Sequence, residues 1–146
     1  MFNKKLAIVG ASGAVGRVFI ELLDEMYPGT KDLFLVASKR SAGRSMFCGQ
    51  QEFIIQDIEE FDFSQVEIAF FSAGAETAEK YAPIAVSKGC TVIDNSSQFR
   101  TDLDKPLIVP EVNSKDLKNF KLPGIIANPN CSTAQLVVAL KPIHDL

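Results

Sequence analysis

The sequence has few of the residues that hold small domains together through metal ions or disulfide bonds. It contains one histidine, His144, and three cysteines that lie far apart and form no C-x-x-C pair. Zinc sites need clustered cysteine and histidine ligands, so the sequence predicts no metal site. An odd, unclustered set of cysteines (Cys48, Cys90 and Cys131) fits reduced thiols in the cytoplasm better than a disulfide framework.

Long hydrophobic runs and an excess of positive charge are also absent. No apolar run approaches the roughly 20 residues that cross a bilayer, and the first strand begins too near Met1 to leave room for a signal peptide. The net charge is −3 and the pI about 5.2, whereas a general nucleic-acid-binding protein needs a basic face that displaces phosphate counterions. The expected partner is therefore a small-molecule substrate rather than a nucleic acid or a membrane.

The composition is typical of one globular domain. The chain has 146 residues, of which 47% are hydrophobic and 23% are charged. These proportions are ordinary for a folded domain, and a chain of this length can bury its apolar side chains around a single core. The sequence therefore predicts one domain over residues 1–146.

Strand-like and helix-like segments alternate along the chain. Leu6–Val9 is a continuous apolar run that ends at a glycine, which is typical of a strand buried on both faces. Apolar residues then recur every three or four positions from Val15 to Met26, which predicts an amphipathic helix ended by Tyr27-Pro28-Gly29. The further predicted elements are strands at 33–37, 52–56 (nearer an edge), 66–71, 91–94 and 124–127, and helices at 77–87 and from about 131 to 140. This order predicts an α/β fold of the Rossmann type, with a doubly wound, mostly parallel sheet and helices on both faces.

The segment between the first strand and the first helix is rich in glycine. It reads Gly10-Ala11-Ser12-Gly13-Ala14-Val15-Gly16, with the glycines spaced G-x-x-G-x-x-G. Glycines let the backbone turn sharply and approach a pyrophosphate, whose charge then rests on free N–H groups at the helix start. The spacing alone also fits a tight turn without a ligand. The strand before it and the amphipathic helix after it favour a dinucleotide site.

The end of the second strand indicates which dinucleotide is bound. Enzymes that use NAD usually have an acidic residue there, which bonds the ribose 2′-hydroxyl. This chain has Ser38-Lys39-Arg40-Ser41 instead, and two cations with two hydroxyls suit a 2′-phosphate. A solvated basic loop is the alternative interpretation. The sequence favours NADP.

Cys131 is predicted to lie at the start of the last helix. Pro129 biases Asn128 away from helical geometry, and the apolar periodicity resumes at Leu136. A helix start favours the thiolate, which is the nucleophilic form of cysteine. Beside a nicotinamide, such a thiolate could add to an aldehyde and leave a thioester after hydride transfer. Position alone leaves open whether Cys131 is this nucleophile or a packing residue, the interpretation preferred for Cys48 and Cys90.

Six segments, in the order in which they occur, make the chain resemble the aspartate-β-semialdehyde dehydrogenase family. The match extends over nearly the whole chain, and six segments in the right order are far more specific than any one of them. The segments are Gly10-Ala11-Ser12-Gly13-Ala14-Val15-Gly16, Ala37-Ser38-Lys39-Arg40-Ser41-Ala42-Gly43, Phe71-Ser72-Ala73-Gly74, Asp94-Asn95-Ser96-Ser97-Gln98-Phe99-Arg100, Val109-Pro110-Glu111-Val112-Asn113 and Asn128-Pro129-Asn130-Cys131-Ser132-Thr133.

The resemblance implies an activity and a set of site residues. The activity is the NADPH-dependent reduction of aspartyl phosphate to aspartate semialdehyde, with release of phosphate, in lysine, threonine and methionine biosynthesis. Cys131 is implied to be the acyl-thioester nucleophile, Arg100 to bind the phosphate, and Asn130 to shape the pocket beside the cysteine. A guanidinium can hold an oxyanion by two parallel bonds, although a surface ion pair is the commoner role of an arginine. The residues implied to bind NADP are Gly10, Ser12, Gly13, Ala14, Val15, Ser38, Arg40, Ser41, Ser72, Ala73 and Gly74.

The resemblance also implies that residues 1–146 lack catalytic groups that the family has elsewhere. The family has a second domain that supplies a histidine general base and further substrate-binding residues, and His144, 13 residues after Cys131, is no substitute. We therefore expect residues 1–146 to be the NADP-binding domain of a homodimeric parent, without turnover of its own. One alternative is an N-acetyl-glutamyl-phosphate reductase, but its cysteine typically follows Asn-Pro-Gly, whereas Cys131 follows Asn-Pro-Asn. The other alternative is a non-catalytic nucleotide-binding module.

Overall fold

The computed structural model describes residues 3–146. Within this range strands and helices alternate as the periodicity of the sequence predicts, except that three strands follow one another between residues 33 and 57. The strands are β1 (Leu6–Val9), β2 (Leu33–Ala37), β3 (Ser45–Cys48), β4 (Gln51–Asp57), β5 (Ile68–Phe71), β6 (Thr91–Asp94) and β7 (Ile125–Ala127). The α-helices are α1 (Ala14–Met26), α2 (Ala75–Ser87), α3 (Pro110–Asn113) and α4 (Cys131–His144), with short 3-10 turns at Phe63–Gln65 and Ser114–Asn119.

The strands form one sheet in the order β3-β4-β2-β1-β5-β6-β7. Every neighbouring pair is parallel except β3 and β4, which form an antiparallel hairpin at one edge. This confirms the predicted α/β fold with a mostly parallel sheet. Strand β3 was not predicted, because only one of its four residues, Cys48, is buried and the segment lacks the apolar run of the other strands. The segment predicted nearer an edge, β4, is the strand next to it.

Helices cover both faces of the sheet, as predicted. On one face Ile20 and Leu23 of α1 pack with side chains of β1 and β2. On the other face α2 packs through three alanines, Ala78, Ala82 and Ala85, each at most 1% exposed. Small side chains let this helix lie close to the strands, while phenylalanines from the neighbouring segments fill the rest of that core.

Two helices are longer than the sequence predicts. Helix α2 begins at Ala75, two residues earlier, because Gly74 with φ +89° already ends the turn that precedes it. Helix α4 continues to His144 with Pro142 inside its last turn. A proline removes one hydrogen bond to the preceding turn, and so near the helix end only that last turn is affected. No helix within residues 3–146 is long and apolar enough to cross a membrane.

Candidate dinucleotide cleft and active site

Three turns that follow neighbouring strands meet at the end of the sheet where the parallel strands have their carboxyl termini. They follow β1, β2 and β5, which are adjacent in the strand order, and together they enclose a cleft of about 320 Å³. The cleft unites residues predicted from three separate motifs. Its lining residues are Val9, Gly10, Ser12, Gly13, Ala37, Ser38, Ile58, Ser72, Ala73 and Thr77.

The glycine-rich turn is packed so closely that two of its glycines have no room for a side chain. Gly10 has φ +89°, and a Cβ atom there would lie 2.8 Å from the backbone carbon of Ser72 in the turn after β5. A Cβ atom on Gly16 would lie 2.4 Å from the carbonyl oxygen of Gly10. Both approaches involve backbone, which cannot rotate away as a side chain can. The cleft is therefore shaped by the close packing of two turns and the start of α1.

The start of α1 has the features of an anion site. The N-cap residue, Gly13, provides no side-chain hydrogen bond, and the first turn carries no acidic residue. The amide of Arg17 is the first that bonds back, to the carbonyl of Gly13 at 3.0 Å, so the amides of Ala14 and Val15 have no acceptor within the helix. Free amides and the positive end of the helix dipole attract a phosphate. Both residues are exposed.

The turn after β2 is tied to the glycine turn through two serines. The hydroxyl of Ser12 donates to the hydroxyl of Ser41 at 3.1 Å, and the amide of Ser41 donates to the carbonyl of Ser38 at 2.8 Å. Ser41 is buried, whereas Ser38 and Arg40 are exposed. The Arg40 guanidinium makes no hydrogen bond or ion pair to residues 3–146, and Arg40 is not among the residues that line the cleft.

Four lining residues of the cleft were not among the predicted site residues: Val9 and Ala37, the last residues of β1 and β2, and Ile58 and Thr77. Ile58 follows β4, is 8% exposed, and donates from its amide to the carbonyl of Ala37 at 2.9 Å, which places it beside the end of β2. The available signal was the apolar residue directly after a strand. Thr77 lies in the first turn of α2, where the sequence reasoning began that helix.

The turn after β5 completes the cleft wall. The amide and hydroxyl of Ser72 both donate to the carbonyl of Val9, at 2.8 Å and 3.1 Å. Ala73 and Gly74 are exposed, and Gly74 is the N-cap of α2 without a side-chain bond. Two helix starts, those of α1 and α2, therefore face the same cleft.

Cys131 is the first residue of α4 and is exposed. The preceding residue, Asn130, caps the helix: its Oδ1 accepts from the amide of Ser132 at 3.0 Å and from the Ser132 hydroxyl at 2.6 Å. The Cys131 thiol is 3.9 Å from the same oxygen. The amide nitrogen of the Asn130 side chain donates to nothing within residues 3–146, so it remains available beside the thiol.

The other two cysteines are in a different environment. Both are buried. Burial raises the pKa of the Cys90 thiol to about 12, and burial together with the nearby charge of Asp24 raises the pKa of Cys48. A raised pKa leaves less of the reactive thiolate at neutral pH. The described chain thus presents one accessible thiol, at a helix start next to strand ends.

Arg100 is held by main-chain carbonyls rather than by a surface acid. Its Nε donates to the carbonyl of Asn128 at 2.9 Å and its Nη2 to the carbonyl of Asn95 at 3.0 Å. It forms no salt bridge with any residue in the range 3–146. Its charge lowers the pKa of buried Asp94, but burial has the larger effect and the pKa of that carboxyl is raised. The guanidinium therefore stands in a polar site with its positive charge uncompensated by a direct ion pair.

His144 lies far from Cys131, as the sequence predicts. It is the last residue of α4, a helix of 14 residues, so it is about 20 Å along the axis from the thiol at 1.5 Å per residue. Its side chain is 85% exposed and contacts Asp145. Between residues 3 and 146 there is also no group of three or more potential metal-ligating side chains. The accessible thiol therefore has Asn130 beside it, while the histidine lies at the other end of α4.

Comparison with known proteins shows the family to which this chain belongs. Residues 5–120 match the family described as semialdehyde dehydrogenase, NAD binding domain. The aspartate-semialdehyde dehydrogenase of Shewanella violacea is 52% identical over 140 residues, which are 96% of this chain and 41% of that protein. The chain thus spans about two fifths of the length of this curated relative.

Solved structures show the same similarity. The crystal structure of aspartate semialdehyde dehydrogenase II from Vibrio cholerae complexed with ASA superposes with a TM-score of 0.93 at 51% identity, covering 99% of this chain and 47% of that one. The Candida albicans aspartate semialdehyde dehydrogenase with NADP superposes with a TM-score of 0.82 at 31% identity, covering 98% and 47%.

Proposed function

Because the chain belongs to the family of semialdehyde dehydrogenase NAD-binding domains, we propose that it is the NADP-binding part of an aspartate-semialdehyde dehydrogenase. The reaction is the reduction of aspartyl phosphate to aspartate semialdehyde, with release of phosphate, in the biosynthesis of lysine, threonine and methionine. One observation carries the proposal: the candidate nucleotide cleft and the only exposed thiol of residues 3–146 both follow the carboxyl ends of parallel strands, at the same end of the sheet. In the parallel sheet, β7 is three strand spacings from β1, about 14 Å, a distance that an extended dinucleotide can span.

The residues of the cleft fit a dinucleotide. The backbone at Gly10 and Gly16 packs too closely against neighbouring backbone to admit a Cβ, which gives the turn its shape, and the free amides at the start of α1 suit the pyrophosphate. Ser38 and Arg40 stand where a 2′-phosphate would meet them, and no acidic side chain lies in that loop to repel it. Ser41 supports the loop through its bond to Ser12. When bound, the nicotinamide supplies the hydride that reduces the acyl group.

The chain's own residues would carry the covalent step. The Cys131 thiolate attacks the acyl carbon of aspartyl phosphate, the carbon–oxygen bond to the phosphate breaks, and phosphate leaves with the bonding electrons. Hydride addition to the resulting thioester then breaks the carbon–sulfur bond, which releases the aldehyde and returns the thiolate. Arg100 would hold the phosphate, and the free amide of Asn130 would donate to substrate oxygen next to the thiol. We place the general base outside these residues, since His144 is remote from Cys131.

Cofactor choice and turnover test the proposal together. In the enzyme expressed from its native gene, we expect NADPH formation from aspartate semialdehyde, NADP and phosphate, with NADP bound at least about tenfold tighter than NAD. Arg40→Ala should weaken NADP binding about tenfold, the loss of one charge-assisted hydrogen bond, and leave NAD binding unchanged. Arg44→Ala, an exposed cation in the same loop, is the matched control.

Three results would contradict the proposal. Equal or tighter binding of NAD would remove the assignment of the cofactor. Turnover of N-acetylglutamate semialdehyde in place of aspartate semialdehyde would favour the reductase alternative, and cofactor binding without either activity would favour a non-catalytic module. We also propose a cytoplasmic enzyme, since all three thiols are free, and a homodimeric one, as the resemblance implies.

A further inference from the structure

Asn95 and Asn128 occupy equivalent places after two neighbouring strands. They directly follow β6 and β7, whose last paired residues are Asp94 and Ala127. Each continues the hydrogen bonding of its strand: the amide of Asn95 donates to the carbonyl of Phe71 at 2.9 Å, and the amide of Asn128 donates to the carbonyl of Asp94 at 2.8 Å. Their side chains then bond to each other, from Nδ2 of Asn128 to Oδ1 of Asn95 at 2.7 Å.

The same two asparagines hold Arg100 through their carbonyl groups. The Arg100 Nε and Nη2 atoms donate to the carbonyls of Asn128 and Asn95, at 2.9 Å and 3.0 Å. Each of the three residues therefore contacts the other two, and three hydrogen bonds close a ring. Asn95 and Asn128 are 33 positions apart in the sequence, so the ring exists only because β6 and β7 are paired. All three side chains are half-buried.

The ring determines which part of the guanidinium remains free. A guanidinium has five N–H donors in a planar fork. The N–H of Nε and one N–H of Nη2 are used by the two carbonyls, while Nη1 and the second N–H of Nη2 make no hydrogen bond to residues 3–146 and form the free edge. That free edge can donate two parallel hydrogen bonds to a phosphate. The two carbonyls can keep the guanidinium in this orientation only while their separation is fixed.

We propose that Asn95 and Asn128 are positioning residues that fix the phosphate-binding edge of Arg100. The inference rests on the proposed function, in which Arg100 binds the phosphate of the substrate. The side-chain bond between the two asparagines locks the turns after β6 and β7 together beyond the end of the sheet, and thereby holds the two carbonyls that grip the guanidinium. Neither asparagine needs to contact substrate for this role.

Phosphate saturation in the enzyme expressed from its native gene provides the test. With inorganic phosphate as the varied substrate, Asn95→Ala and Asn128→Ala should each raise the KM for phosphate about tenfold. The value of kcat should change less than about threefold, and the Kd for NADP less than about twofold, because the nucleotide cleft lies on other strands. Asn119→Ala, an exposed asparagine of the crossover between β6 and β7, is the matched control and should leave all three quantities unchanged.

The same substitution made in an Arg100→Lys variant shows whether Asn128 acts through Arg100 or by a direct or general structural effect of its own. In Arg100→Lys the cation remains, but the side chain lacks the two-edged fork that the carbonyls orient. Adding Asn128→Ala to Arg100→Lys should change the KM for phosphate less than about twofold. If either alanine variant fails to fold, serine at that position is measured instead, and the same dependence on Arg100 is expected.

The outcomes are distinguishable from a failure of the proposed function. An unchanged KM for phosphate in both asparagine variants would overturn the inference while the wild-type turnover stands. A tenfold rise that persists in the Arg100→Lys background would also overturn it, because the asparagine would then act without the arginine. A wild-type enzyme that shows no phosphate-dependent turnover would overturn the proposed function itself.

Discussion

The turn after β1 and the turn after β7 lie at the same end of the sheet, beyond the carboxyl ends of their strands, but different groups fix their shapes. The β1 turn is shaped by backbone, because Gly10 approaches the backbone of Ser72 and Gly16 approaches the carbonyl of Gly10. The β7 turn is shaped by side chains, because Asn130 caps α4 and Asn128 bonds across to Asn95. The first turn offers amides to a ligand, whereas the second offers a thiol.

The difference explains why the two turns are expected to tolerate substitution differently. In the turn after β1, an added Cβ would collide with backbone and change the shape of the turn. We therefore expect weaker ligand binding and a lower free energy of unfolding. In the turn after β7, removal of a side-chain atom that does not hold the main chain, such as the Cys131 sulfur, leaves the main-chain course unchanged, so the effect falls on chemistry. Substitutions in the two turns should therefore separate binding from turnover.

The largest separation is expected from Cys131→Ala. Removing the nucleophile should lower turnover by about 10⁴-fold or more, since no other group can form the thioester. The Kd for NADP should change less than about twofold, because Cys131 is not in the lining of the cleft. NADPH formation and NADP titration measure the two effects, with Cys48→Ala as the control cysteine. Residual turnover in Cys131→Ala near the wild-type rate would show that the thiol is not the nucleophile.

The second separation concerns the thiols themselves. At pH 7.5 iodoacetamide should alkylate Cys131 at least about 100-fold faster than Cys90, since Cys131 is exposed and burial raises the pKa of Cys90 to about 12. At pH values well below 12 the buried Cys90 remains a thiol, which is unreactive. Peptide mapping after brief labelling measures the order, and labelling in urea should equalise the three rates. Faster modification of Cys48 or Cys90 in the folded protein would contradict it.

The smallest expected effect compares two glycines with the same backbone conformation. Gly10 has φ +89° and Gly89 has φ +90°, but only at Gly10 would a Cβ meet backbone within 3 Å. Alanine at either site should cost about 1 kcal/mol of unfolding free energy from the strained φ. Gly10→Ala should lose more, and should weaken NADP binding about tenfold, while Gly89→Ala keeps wild-type affinity. Equal losses of affinity in both variants would mean that the close approach at Gly10 does not shape the cleft.

Much of the fold could be predicted because its signals are local. The apolar run at Leu6–Val9 and the helical periodicity from Val15 to Met26 depend on residues within one or two turns of each other. The glycine turn was recognisable because its spacing stood between a strand and a helix. The hairpin of β3 and β4 was missed, since Ser45–Cys48 lacks an apolar run and gains its strand structure from pairing with β4.

The sequence by itself determined the order of the elements other than β3 and the short helix α3, the place of the glycine turn and the position of Cys131 at a helix start. Only the tertiary structure decided that Ile58 reaches the cleft, that Ser12 bonds Ser41, and that Asn95, Asn128 and Arg100 form one ring. The physical reason is that these contacts join segments about 30 positions apart. They arise from the parallel register that aligns the strand ends, and no local spacing in the sequence encodes that alignment.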